Sequence, residues 1–207
     1  MIKENDVKKY IQFYNTAIGK KILEHETRII DEKLMGRKKV LSIGCGPAVI
    51  EERLHQLRPE MNIMGLDNSK EMIQQTPKNI SLVYGDAEHL KFEDSGFDAV
   101  FYVTSLEFIQ STQKAIKETY RVLKSKGLLL VLMLNPNSCY FQEKYNNINS
   151  YIRKNIKHTN INKIKKVISR YFDIKNEEYI LGITEQEIVD TDDQSIASLF
   201  VIEGEKR

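Results

Sequence analysis

Hydrophobic and polar positions along this chain follow two alternating rhythms. Short apolar runs occur at Val40, Leu41 and Ile43, at Ile63, Met64 and Leu66, at Leu82-Val83-Tyr84, from Phe97 to Val103, and from Leu128 to Leu134. Runs of this length, bounded by turn-forming or charged residues, predict buried strands. Between them the apolar positions space out by three and four. Ile50, Leu54 and Leu57 share one helical face, and Thr112 to Leu123 reads as a second helix. Strands alternating with helices predict right-handed βαβ units and a parallel sheet with helices on its faces.

The flanks read differently. Val7, Tyr10, Ile11 and Tyr14 form one apolar face, and Ile22, Ile29, Ile30 and Leu34 another, predicting two helices over 6–34 interrupted at Gly19. Asn135-Pro136-Asn137-Ser138 ends the fifth strand sharply. Residues 139 to 159, rich in Asn and Tyr, predict irregular structure. Asn160 then caps a helix whose Ile164, Val167 and Ile168 face inward. Two late strands follow, at Tyr179 to Leu181 and Ser198 to Ile202. With no repeat or low-complexity tract, 207 residues fit a single domain. Its parts are a helical cover over 1–36, a core over 37–134, an irregular segment over 135–159, and a helix with two strands over 160–207.

The first strand carries candidate chemistry. It runs straight into Gly44-Cys45-Gly46, where missing side chains free the backbone and let a ligand approach closely. Pro47 suits the first turn of the helix that follows. A strand, tight glycine turn and helix in an open α/β sheet is a nucleotide-binding arrangement. A dinucleotide site needs a third glycine where this chain has Val49. The second run ends on Asp67, 23 residues after Gly44, where a carboxylate can accept from a ribose diol. The third run ends in Gly85-Asp86-Ala87.

Five segments, VLSIGCGPA, MGLDNSKEM, GDAEHLKF, FDAVFYVTSLEFI and RVLKSKGLLLVLML, together resemble the class I S-adenosylmethionine-dependent methyltransferases in order and spacing. The branch they resemble includes quinone-biosynthesis and other small-molecule enzymes. The resemblance covers residues 40 to 134 and implies a Rossmann-like doubly wound sheet of seven strands, the last antiparallel, with N-terminal helices over the cofactor site. It also implies S-adenosylmethionine as cofactor. The backbone of Gly44, Cys45 and Gly46 would face the methionine and ribose, and Asp67, with Asn68 beside it, would take the ribose hydroxyls. Met72 would pack on the adenine face. Asp86 would accept from the adenine amino group, Ala87 would donate its N–H to the ring, and the Val103 carbonyl would take the methionine amino group.

Two positions depart from the family pattern. Ser42 stands where an acidic residue is usual, and Pro47-Ala48 replace the third glycine. Tyr102-Val103-Thr104-Ser105 also lacks the Pro-Pro motif of enzymes acting on amide-like nitrogens. Methyl transfer from a sulfonium is an in-line displacement, so holding donor and acceptor aligned and dry is the main task. Three residues are candidates for the reacting end. Tyr14 lies in a segment resembling one that folds over the donor, Glu107 sits where relatives often have histidine, and His158 titrates in the useful range. His25, His55 and His89 show no ligand spacing, and no metal site is expected. Residues 10 to 20 and 138 to 158 would build the acceptor site, with Tyr10, Phe13, Tyr14, Tyr140, Phe141 and Tyr151 as its aromatic surface.

Composition narrows the partners. A hydrophobic content of 41% supports a real core, while 29% charged residues argue against a membrane protein. The longest apolar run, Leu128 to Leu134, is far too short to span a bilayer. No signal-peptide core follows Met1, and two distant cysteines imply no disulfide framework, which predicts a cytoplasmic protein. A net charge of +2 does not demand nucleic acid, and DNA is not expected. The basic residues between Arg153 and Arg170, and the acidic ones from Glu185 to Asp193, read as solvated faces. A small-molecule methyltransferase is thus expected. The rivals are an RNA or protein methyltransferase using the basic segment, and a donor-binding sensor without transfer activity.

Overall fold

The computed structural model describes residues 4–184 and 187–207. Glu185, counted above in the acidic stretch, lies outside them. The chain forms one eight-stranded sheet in the order β3-β2-β1-β4-β5-β8-β6-β7. Its parallel half comprises β1 (Lys39–Ile43), β2 (Asn62–Asp67), β3 (Ser81–Tyr84), β4 (Phe97–Val103) and β5 (Leu123–Leu134). The other half is antiparallel and consists of β6 (Phe172–Ile183), β7 (Ile188–Val189) and β8 (Ala197–Lys206). The expected sheet is present with its final strand antiparallel. One additional strand, the two-residue β7, sits at the edge.

Alternation along the strands sorts the core into two layers. Val40, Ala99, Phe101, Leu130 and Leu132 meet Ile22 and Ile30 of α2 (Ala17–Lys33), its C-cap Leu34, and Ile50 and Leu54 of α3 (Val49–Leu57). Leu41, Ile43, Val100, Tyr102, Leu129 and Val131 meet Ala115, Ile116 and Val122 of α5 (Thr112–Val122) and Ile164 and Ile168 of α8 (Ile161–Ile168). A four-residue helix, α4 (Lys70–Ile73), follows β2, and a 3₁₀ turn, Leu106–Phe108, follows β4.

Two expectations about the flanks are corrected. The N-terminal helices, α1 (Glu4–Asn15) and α2, part at Thr16 rather than Gly19. Thr16 is the N-cap, its hydroxyl accepting the Gly19 N–H at 3.0 Å. Gly19 stands inside the first turn because a Cβ there would lie 2.0 Å from the Phe13 carbonyl oxygen. The segment 139–159 is not irregular throughout. It folds into α6 (Cys139–Asn146) and α7 (Tyr151–Asn155), whose N-caps Ser138 and Ser150 accept the N–H groups of Phe141 and Arg153 at 3.1 and 3.0 Å. Asn160 caps α8 as its sequence implied, accepting from Lys163 at 3.0 Å.

Candidate functional site: two cavities with a shared wall

The C-terminal ends of the parallel strands open on a cavity of about 520 Å³. Ile43 and Gly44 close β1 beside it, Leu66 and Asp67 close β2, Gly85 to Ala87 follow β3, and Val103 ends β4. Open α/β sheets bind ligands outside this edge. Gly44 has φ +75°, and a Cβ there would stand 2.4 Å from Cβ of Ser105. Conformation and space therefore both require glycine. Ser105 is fixed by donating its hydroxyl hydrogen to the Ile43 carbonyl at 2.7 Å.

Asp67 is buried and organises the turn. One carboxylate oxygen accepts the Gly46 N–H and the other the Ser69 N–H, both at 2.8 Å. Burial raises its pKa, and these N–H groups oppose the rise. Each oxygen keeps a further lone pair for a ligand. Asp86 is exposed on the rim, accepting the Glu88 N–H at 2.9 Å.

Of the nine residues expected to hold a cofactor, Gly44, Asp67, Asn68, Asp86, Ala87 and Val103 line this cavity. Cys45, Gly46 and Met72 do not line it. Cys45 is buried with its sulfur beside Gly65, and Met72 is buried with its sulfur 3.9 Å from where a Gly46 Cβ would stand, so both pack against the turn. The acidic group missing at Ser42 reappears one element later. The Ser42 hydroxyl donates to the carboxylate of Glu51 on α3, and both residues are buried. Burial pushes Glu51 up to about 7, the Ser42 hydroxyl opposing.

A second cavity, about 550 Å³, adjoins the first. Tyr10, Thr104, Phe108 and Tyr151 line both and form the wall between them. Phe13, Tyr14 and Tyr140 add further aromatic surface, and Leu181 and Leu199 of the antiparallel strands contribute aliphatic surface. Helix α1 thus reaches over the glycine turn, its Tyr10 ring 3.9 Å from where a Gly46 Cβ would stand. The Tyr10 and Tyr14 rings meet edge to face at 5.2 Å. Burial raises both phenols well above their ordinary pKa, which leaves them neutral.

The candidates for the reacting end separate. Tyr14 lines the second cavity. Glu107 and His158 line neither, correcting their expected placement. Glu107 is buried behind the 3₁₀ turn, its carboxylate accepting the Leu134 N–H at 2.9 Å, and burial pushes it up to about 7. The His158 ring Nε2 lies 3.0 Å from the Ile109 carbonyl, and the N–H groups of Lys157 and His158 donate to the Glu107 carbonyl. Both residues tie the chain after α7 to the turn after β4. Phe141, expected in the acceptor surface, is instead core, stacked on Tyr145.

Sequence reasoning missed Glu26. This α2 residue is 4% exposed and lines the second cavity. Its carboxyl oxygen Oε2 has no hydrogen-bond partner, and burial pushes its pKa up to about 8. The signal was present in the spacing. Glu26 lies four residues after Ile22 and four before Ile30, on the helix's inward face. Among the described residues no cluster of His, Cys, Asp and Glu could hold a metal ion, and no helix is long and apolar enough to cross a membrane.

Known proteins resemble the chain in sequence and in fold. A family profile described as a methyltransferase domain matches residues 41–131. A demethylmenaquinone methyltransferase of Thermotoga maritima is 32% identical over 111 residues, covering 52% of this chain and 48% of that enzyme. A malonyl-[acyl-carrier protein] O-methyltransferase of Legionella pneumophila is 29% identical over 107 residues, covering 49% and 38%. The chain thus spans about half or less of these two relatives' length. Among solved structures, a SAM-dependent methyltransferase of Thermotoga maritima, described as a possible histamine N-methyltransferase, superposes with TM-score 0.80 at 21% identity over 99% of this chain and 97% of that one. A SAM-dependent methyltransferase of Archaeoglobus fulgidus superposes with TM-score 0.76 at 17% identity over 95% and 99%. The fold is therefore shared across nearly the whole chain, and its core, residues 41–131, matches a methyltransferase domain profile.

Proposed function

We propose that the protein transfers a methyl group from S-adenosylmethionine to a small-molecule acceptor, with the polar cavity holding the donor and the apolar cavity the acceptor. The observation that carries this reading is the wall the two cavities share at Tyr10, Thr104, Phe108 and Tyr151. Two cavities divided only by side chains are what a displacement between two bound molecules requires. The polar cavity fits the donor chemically. Asp67 and Asp86 offer acceptors for hydroxyl and amino groups, Gly44 leaves the floor without a side chain, and about 520 Å³ lies in the range of small-molecule sites.

When bound, the donor supplies an electrophilic methyl on a sulfonium. The chain's own residues position it and keep water out. Asp67 holds the glycine turn and the ribose side, Val103 and Thr104 fix the strand end, and α1 covers the turn through Tyr10. Tyr14 faces the acceptor as a neutral phenol. Glu107 and His158 act as positioning residues through the backbone after β4. Titration calorimetry with S-adenosylmethionine, S-adenosylhomocysteine and a nicotinamide dinucleotide tests the donor assignment. Binding of the first two and not the third is expected. Dinucleotide binding of equal strength would refute it.

A further inference from the structure

We infer that the acceptor is an amine with an apolar body, its cationic nitrogen received by Glu26 in a cavity that Ser198 and several aromatic rings also line. The inference rests on the proposed donor and acceptor assignment and deepens it. Three observations carry it. Glu26 and Ser198 both line the apolar cavity, are 4% and 1% exposed, and keep Oε2 and Oγ without a hydrogen-bond partner. No cation is paired with Glu26 among the described residues, and no neighbouring group offsets the rise that burial gives its pKa. Aromatic and aliphatic side chains make up most of the rest of the wall, with Tyr10, Tyr14 and Tyr140 close enough to feel the Glu26 charge.

Buried carboxylates are paired, and here the pairing is left to the ligand. An ammonium supplies what both orphan oxygens lack, namely charge and several N–H donors. Aromatic faces add attraction for a cation in a site shielded from water. Lys9 and Lys144 also line the cavity but do not meet Glu26. Lys9 is exposed, while Lys144 pairs with Glu143 at 2.8 Å and lies over the Tyr140 ring.

The chemistry balances. The incoming ammonium gives one proton to the Glu26 carboxylate, leaving a neutral amine beside a neutral acid. The nitrogen lone pair forms the N–CH3 bond as the S–CH3 bond breaks, and the S–C electron pair stays on sulfur as a thioether. The positive charge passes to the methylated nitrogen and leaves with it, and the proton kept on Glu26 goes to solvent when the next ammonium binds and pairs with the ionised carboxylate.

The test compares 2-phenylethylamine, 2-phenylethanol and 3-phenylpropionate by calorimetry, with S-adenosylhomocysteine titrated separately into every variant. The amine should bind most tightly. Glu26→Gln should weaken it about ten- to a hundredfold while leaving the alcohol and the homocysteine ligand unchanged. Ser198→Ala should weaken the amine about threefold or more, and it guards against a folding defect in the first variant. Equal or tighter binding of the alcohol or the acid, no binding of the amine, or an unchanged amine affinity in Glu26→Gln would overturn the inference. Loss of S-adenosylhomocysteine binding in the unaltered protein would instead overturn the donor assignment.

Discussion

Ala48 shows what one residue's backbone costs. It lies in the left-handed region at φ 59°, where the family pattern carries its third glycine, and it caps α3 without a side-chain hydrogen bond. A non-glycine residue there is strained by about 1–2 kcal/mol, while glycine costs about 0.4–1 kcal/mol more entropy on folding. Ala48→Gly should therefore stabilise the protein by about 0.5–1 kcal/mol in urea unfolding, and a destabilised variant would show the strain to be relieved elsewhere. Ser42 carries the opposite kind of dependence. Its hydroxyl satisfies one oxygen of Glu51, whose other oxygen has no partner. Ser42→Ala should cost about 1–3 kcal/mol by leaving the buried carboxyl bare, a loss that Ser42→Ala combined with Glu51→Gln should largely recover. Recovery absent in that double variant would separate the two residues.

At the level of elements, legibility follows apolar density. The five parallel strands could be read from their apolar runs, with Phe97–Val103 bounded as its sequence implied, although β5 begins at Leu123, five residues before the run Leu128 to Leu134. Helices α6 and α7 could not, since polar Asn146, Asn147 and Asn149 dilute their periodicity and their order comes from the capping serines. Long β6 was hidden because much of it is only half buried between Ile174 and Ile180, so it lacks a continuous core run. The candidate site divides the same way. The donor-side residues stand at strand ends fixed by register, whereas Glu26 is one of many charged residues along its helix. Helix α1 and the segment from Ser138 to His158 cover both cavities with few buried residues, so they should open locally. Hydrogen exchange should slow across α1 and α7 when S-adenosylhomocysteine binds. Protection confined to Gly44, Asp67 and Asp86 would remove the covering role.

For the whole molecule, three buried glutamates lead the pH response, and burial raises Asp67 in the same sense. Glu26 is pushed up to about 8, Glu51 and Glu107 to about 7, and burial leads in each. All three sit above the 4.5 of a free glutamate, so the folded state holds more protons than the unfolded one across that interval. Their contribution is complete below the unfolded value and disappears as pH rises through 7 to 8. Glu118 acts in the reverse sense, since its bond to Arg121 lowers its pKa and its stabilisation fades as pH falls. The melting temperature should drop between about pH 4.5 and 8, and Glu26→Gln should flatten that slope, most clearly above about pH 7 where Glu26 still drives it. A slope unchanged in that variant would mean Glu26 is already solvated.

The position of β8 has a further consequence, for the order in which the sheet can be made. It is the last strand in sequence, yet it lies between β5 and β6, with Leu199 to Glu205 paired to β5 on one side and Ala197 to Lys206 paired to β6 on the other. During synthesis β5 therefore emerges with a bare edge, and β6 follows it with only the two-residue β7 to pair with. The two halves become one sheet only when the interposing strand has left the ribosome. A nascent chain halted before Ala197 should remain protease-sensitive on both Leu128–Leu134 and Phe172–Ile183, and one carrying Lys206 clear of the exit tunnel should gain protection in both segments together.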